Sequence, residues 1–276
     1  MQSLGDIVRR SQPSLFWCMR GIKKANREAV FTVFAFCRHL DSILRSDMTP
    51  EDKKDWLNTW REELDNIYDK KVPTTNIGRK IYKNCIRFDL PKSAWSKILQ
   101  AAFLDACDTQ FSPSAEVFEQ YVDGMAVMPL HLLLMIVTPE HPRANQELAK
   151  SLGYAVFITS TLRDVKGDSK RNRMYIPQEI LEQAGVKIEE PRDMIEDKNL
   201  PQAREILSKQ AESGFNKAER LLSKMDKKRT LPLRLMLNKT RALFDIMQKR
   251  GWEVISPKPK LNLPKRIYIL YRTIFK

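Results

Sequence analysis

Apolar residues recur at three- and four-residue spacing through most of this 276-residue chain, and many breaks in that rhythm fall at prolines. That pattern restricts the chain to helices. The spacing gathers apolar side chains on one helical face, while proline suits a helix start and breaks its interior. Thr49-Pro50-Glu51 shows the punctuation: a hydroxyl to cap the helix, a proline at its first position and acidic residues in its first turn. Trp56, Trp60 and Leu64 then carry one face to about Tyr68. Further helices are expected over residues 20–43, 76–87, 90–105, 113–137, 143–166, 201–227 and 232–250, with a short one from Pro177 and a polar loop at 193–201. Only 9 glycines and few alternating runs argue against sheets. No internal repeat breaks the chain into units. The expected fold is all-α: one helical domain over residues 1–255 and a basic-aromatic tail over 256–276.

The formal charge of +14 points to an anionic partner, phosphorylated ligands or an acidic membrane surface, or else to a solvated basic surface with no partner. Nucleic acid is not expected, because Lys and Arg are scattered and no zinc-finger or RNP-like pattern is present. Cys18, Cys37, Cys85 and Cys107 stand singly among apolar neighbours, as reduced core thiols do. His39, His131 and His141 have no metal-ligand spacing. Residues 1–10 lack an apolar signal region, and the apolar run at 125–137, interrupted by Pro129 and His131, is shorter than the roughly 20 residues of a membrane span. The expectation is a cytoplasmic protein, peripheral at the inner membrane face, or mitochondrial in a eukaryote. In the tail, Lys258, Lys260, Lys265, Arg266, Arg272 and Lys276 interleave with Ile267, Tyr268, Leu270, Tyr271, Ile274 and Phe275. That mixture suits the headgroup zone of an anionic membrane, and it equally suits a segment packed onto the domain.

Leu162-Arg163-Asp164-Val165-Lys166-Gly167-Asp168 sets two carboxylates four residues apart. On a helix they share one face, one turn apart, where such oxygen ligands can hold Mg²⁺ and through it a diphosphate. By itself the pair reads better as a solvated acidic pair among basic neighbours, and its context changes that.

Three separated segments carry a resemblance. Phe34-Ala35-Phe36-Cys37-Arg38-His39-Leu40-Asp41 resembles the "AFCR..DD" segment of the squalene/phytoene synthase family. Leu162 to Pro177 is similar to that family's "LRDV..D..R.R.YLP" signature, and Ser14-Leu15-Phe16-Trp17-Cys18-Met19-Arg20 to its N-terminal serine-aromatic segment. Phe88-Asp89-Leu90-Pro91, Tyr121 and Arg250-Gly251-Trp252 fall in the matching order, so the resemblance spans residues 11–272, nearest in spelling to the bacterial presqualene diphosphate synthase branch. It implies a single isoprenoid synthase-type helical bundle around a central apolar cavity, joining prenyl diphosphates head to head with Mg²⁺. By the same resemblance Asp41, Tyr121, Asp164, Asp168 and Tyr175 would be catalytic, with Asp41, Asp164 and Asp168 as metal ligands. Ser14, Arg38, Arg163 and Arg173 would bind substrate, and Asp105 is also retained.

The chain departs from the pattern at three places. The first motif's acidic positions read Asp41, Ser42 and Arg45, and Arg45, one turn from Asp41, can pair with it or touch diphosphate directly. Asp47 faces elsewhere on a helix. Phe157 and Ser160 replace the family's Gln and Asn, while Val127 and Leu130 replace small residues and are expected to narrow the pocket. Three readings stay open: a prenyl diphosphate transferase, a catalytically inactive relative acting with a protein partner (such as the family's respiratory complex I assembly factors), and a prenyl-lipid binding module.

Overall fold

The computed structural model describes residues 22–69, 71–106 and 112–275, together with Asp6, Arg9, Phe16, Cys18 and Met19. Ser14 and Cys107 lie outside the described residues. Twelve α-helices are described: α1 (Lys24–Leu44), α2 (Pro50–Tyr68), α3 (Asn76–Phe88), α4 (Lys92–Ala106), α5 (Ala115–Val122), α6 (Met128–Val137), α7 (Pro142–Ser169), α8 (Gln178–Ala184), α9 (Pro191–Met194), α10 (Leu200–Ser223), α11 (Lys227–Arg250) and α12 (Leu263–Phe275). This is an all-α, single-domain bundle of the isoprenoid synthase type.

The helix starts follow local chemistry. Thr49 accepts a hydrogen bond from the Asp52 backbone N–H at 3.1 Å, and Pro50 opens α2 as the sequence requires. α11 begins at Lys227 rather than at Pro232, because the Asp226 carboxylate accepts from the Arg229 N–H at 2.7 Å and caps the helix there. Pro232 therefore sits inside the helix. Residues 193–201 are not one loop: α9 ends at Met194, and α10 begins at Leu200.

α7 is the centre of the bundle. It packs against α6 on one side and α10 on the other, with α11 beyond and α12 laid on α11. Buried residues lie all round it, including Leu148, Leu152, Ile158, Leu162 and Val165. Its hydrophobic residues thus form no single stripe, as expected of a helix enclosed on every side. α1, α2, α3 and α4 pack against one another and, through α1 and α4, onto α6.

A π-helical turn, Asp123–Val127, joins α5 to α6. It makes one helical stretch of 23 residues, Ala115–Val137, as the sequence leads one to expect over 113–137, and longer than the apolar run of about 13 within it. By length and composition this stretch could cross a membrane, but more than half of its most apolar window is buried in the fold. Two glycines permit the close crossings around it. A Cβ on Gly124 would meet the Lys97 carbonyl oxygen at 2.3 Å, and one on Gly153 would meet the Val127 side chain at 3.0 Å.

Candidate functional site

Residues from α1, α4, α5, the π-helical turn, α7 and the segments after α1, α7 and α11 surround a cavity of about 720 Å³. Asp41, Asp105, Tyr121, Asp164, Asp168, Arg173 and Tyr175 all line it, so the structure gathers these sequence-selected residues in one place. Arg38 and Arg163 stand behind the wall as partners of its carboxylates. The chain closes α7 with a turn in which Asn172 adopts a left-handed φ of 58°, a conformation that asparagine tolerates well. The Arg173 N–H bonds back to the Asp168 carbonyl at 3.0 Å, which turns Arg173 and Tyr175 towards the cavity.

Each carboxylate is held by a cation. Asp41 accepts from Arg38 at 2.7 Å on one oxygen and from Arg45 at 2.6 Å on the other. Asp164 takes a two-point contact from Arg163, at 3.0 and 2.8 Å, and a further one from Lys258. Arg171 reaches Asp168 at 2.5 Å, and Arg173 pairs with Asp105. The Tyr175 hydroxyl also donates to Asp105, at 3.3 Å.

The electrostatics differ from group to group. Burial pushes the Asp105 carboxyl above its usual range even though Arg173 opposes the shift. Asp168 is raised likewise, by burial first and then by the neighbouring Asp164 charge that Arg171 opposes. Burial opposes ionisation of Asp164 too, yet Arg163 and Lys258 more than offset it and hold that carboxyl below the usual range. Burial raises the Tyr175 hydroxyl to about 12 and pushes Tyr121 well above its ordinary value.

Beside this charged end the cavity wall is aromatic and apolar. Tyr121 and Tyr175 stack at 5.6 Å, and Phe157 meets them edge-on at 5.5 and 6.3 Å. Leu44 and Met125 complete the apolar part. The Ser160 hydroxyl donates to its own helix at Val156, 3.0 Å away, and leaves no donor aimed at a ligand there. Val127 and Leu130 do not narrow the cavity as expected. Both are buried in the core and neither lines the cavity, because Val127 packs into the space left by Gly153.

Two charged lining residues, Arg171 and Lys258, are not among the site residues that the sequence points to. Arg171 had a local signal, one turn beyond Asp168. The basic-aromatic pattern of the tail groups Lys258 with headgroup contacts, but it lies in the cavity against Asp164. Its position follows from Arg204, buried on α10. One guanidinium nitrogen donates to the Leu162 carbonyl at 3.1 Å and another to the Trp252 carbonyl, which ties the segment after α11 to the Asp164 turn. Arg250 adds a bond to the Pro257 carbonyl at 2.9 Å.

The α7 side has suitable donor chemistry for Mg²⁺, with Asp164 and Asp168 one turn apart on the cavity wall. An ion there would have to displace side-chain cations already in contact. The α1 side does not fit its half of a metal cluster: Asp41 is the one carboxylate of its motif and both its oxygens are occupied by guanidiniums. Among the described residues no three acidic, His or Cys side chains are grouped to hold one metal ion.

Residues 8–266 match the family described as squalene/phytoene synthase. The presqualene diphosphate synthase of Sinorhizobium fredii is 28% identical over 262 residues, covering 94% of this chain and 92% of the relative. That of Rhodopseudomonas palustris is 27% identical over 259 residues, covering 93% and 91%. Among solved structures, a dehydrosqualene synthase in complex with ligand superposes with a TM-score of 0.83 at 22% identity, over 98% of this chain and 94% of the other. A squalene synthase from Alicyclobacillus acidocaldarius gives 0.74 at 20%, over 90% and 94%. By the match along nearly its whole length, this chain belongs to the squalene/phytoene synthase family.

Proposed function

We propose that the protein binds a prenyl diphosphate in this cavity and transfers its prenyl group, with side-chain cations supplying much of the charge that holds the diphosphate. One observation carries the reading. Six cations, Arg38, Arg45, Arg163, Arg171, Arg173 and Lys258, surround four carboxylates, Asp41, Asp105, Asp164 and Asp168, beside an apolar wall. The surplus is positive, as a diphosphate requires, and guanidiniums grip phosphate oxygens in pairs.

Ionising an allylic diphosphate breaks its C–O bond and leaves the electron pair on the departing group. Donors fixed where that negative charge grows lower the barrier. Arg45 on one wall, with Arg171 and Lys258 on the other, have the chemistry and the position for this. Asp164 and Asp168 would hold Mg²⁺, which when bound adds positive charge to the leaving diphosphate. Tyr121, Phe157 and Tyr175 offer ring faces to a carbocation and keep water from it. The relatives' named product, presqualene diphosphate, makes head-to-head condensation the activity to test first. Since a prenyl chain partitions into lipid, an anionic membrane surface is the matching place of work.

A second reading has its own support. The paired cations and carboxylates form a lattice that would persist without turnover, because deleting one partner of a buried pair costs roughly 3–5 kcal/mol. The protein would then be a prenyl-lipid binding or assembly module acting with a protein partner.

Diphosphate release and lipid product from farnesyl and geranylgeranyl diphosphate, with and without Mg²⁺, separate the two. Product formation that falls at least a hundredfold in Asp164→Asn is expected of the transferase. Ligand binding with no turnover in the native protein would establish the module instead.

A further inference from the structure

Helix α12 divides the tail into an attached face and a free one. Ile269 is 7% exposed and packs with Cys18 and Leu235, while Thr273 accepts a hydrogen bond from Asn238 at 2.9 Å. Asn262 caps the helix by accepting from the Lys265 N–H at 3.0 Å. These contacts fix the rotation of α12 on α11. At about 100° per residue, Leu263, Ile274, Ile267, Tyr271, Phe275 and Tyr268 then follow one another round an outward arc of about 140°. All six are exposed, Ile267 at 59% and Phe275 at 69%. Lys265 and Arg272 come next round the helix, with Arg266 beyond the other edge.

We infer that this face docks α12 flat on an anionic lipid bilayer. An apolar arc that wide, on a helix whose opposite side is already anchored, is a surface built to be covered. Its charge identifies the cover. From Val254 to Lys276 the chain has six Lys and Arg and no Asp or Glu. A second copy would set like charges against each other, whereas acidic headgroups meet the basic edges while Tyr268 and Tyr271 take the interfacial position that aromatic rings favour. Because Ile269 and Thr273 hold α12 along α11, its exposed arc runs the length of the helix and meets a bilayer side-on, in the surface plane. Lys258 takes no part, because it is held in the cavity by Asp164.

This inference gives the membrane surface of the proposed function its contact on the fold but rests on α12 itself, so the two fail separately. The test is flotation of the full-length protein with vesicles of phosphatidylcholine, alone or mixed with phosphatidylglycerol. Binding to the mixed vesicles alone is expected, weakening as salt is raised. Lys265→Gln with Arg272→Gln should lower affinity about fivefold per charge removed. Ile267→Ser with Tyr271→Ser should lower it about tenfold or more per side chain. Both variants should keep the native melting temperature and native farnesyl diphosphate binding, since all four side chains point outward. Equal binding to both vesicle types would overturn the inference, as would binding to neither. Self-association lost in Ile267→Ser with Tyr271→Ser would assign the face to a second copy of the chain.

Discussion

The α1 and α7 walls of the cavity both present carboxylates held by cations, but they hold them differently. On α1 the pairing is local and open: Arg38 and Arg45 lie three and four residues from Asp41, and Arg45 is 66% exposed. Such pairs contribute about 0–1 kcal/mol and break easily. On the α7 side the partners also come from afar. Lys258 arrives from the segment after α11, and Arg173 joins the chain beyond α7 to Asp105 at the end of α4, where Asp105 is 12% exposed. The Arg173–Asp105 pair is desolvated as well as long-range, and such a pair is hard to rearrange, because either partner left alone is a buried charge. The difference suggests a firm wall that sets the site's shape and a soft wall whose cation can turn from Asp41 to a ligand.

The largest effect should come from the firm wall. Asp105→Ala takes the neutralising carboxylate from the buried Arg173 guanidinium and one partner from the Tyr175 hydroxyl, and should cost about 3 kcal/mol in chemical denaturation. A loss below about 1 kcal/mol would erase the distinction between the walls. Arg45→Asp on the soft wall should change stability by less than about 1 kcal/mol. It should, however, raise Mg²⁺ dependence of farnesyl diphosphate binding at least tenfold, because it restores a carboxylate facing Asp164 and Asp168. Titration calorimetry with and without the metal measures this.

The smallest effect separates two neighbours on one helix turn. Asp164, held below the usual range, contributes stability that is present above its unfolded pKa and lost as pH falls through the folded one. Asp168, raised by burial, does the reverse: its contribution is present below the unfolded pKa and lost as pH rises through the folded one. Asp168→Asn should therefore melt slightly higher than the native protein at pH 7, with the difference gone near pH 4. Asp164→Asn should melt lower at pH 7, with its deficit shrinking on acidification.

What could be read from the sequence was mostly local. The Thr49 cap, the Asp164–Asp168 turn and the Arg45–Asp41 pair each depend on residues within four positions of one another, and each forms. One misreading was local, and the others depended on tertiary context. Pro232 resembles a helix start until Asp226 is seen to cap the helix earlier. Val127 resembles a pocket residue until Gly153 gives it room elsewhere. Lys258 was grouped with its basic neighbours, yet Arg204 on a distant helix places it at Asp164. In the tail, apolar spacing could not say which face of α12 the domain would use, because Ile269 and Ile267 are alike until α11 is set beside them.

The most direct test of side-chain cations as the diphosphate holders is titration calorimetry of farnesyl diphosphate in the presence of a chelator. Native protein should bind without metal, and Arg45→Ala with Lys258→Ala should lose affinity about a hundredfold, as two charge-assisted contacts disappear. Binding seen only with Mg²⁺, or undiminished in that double variant, would contradict it.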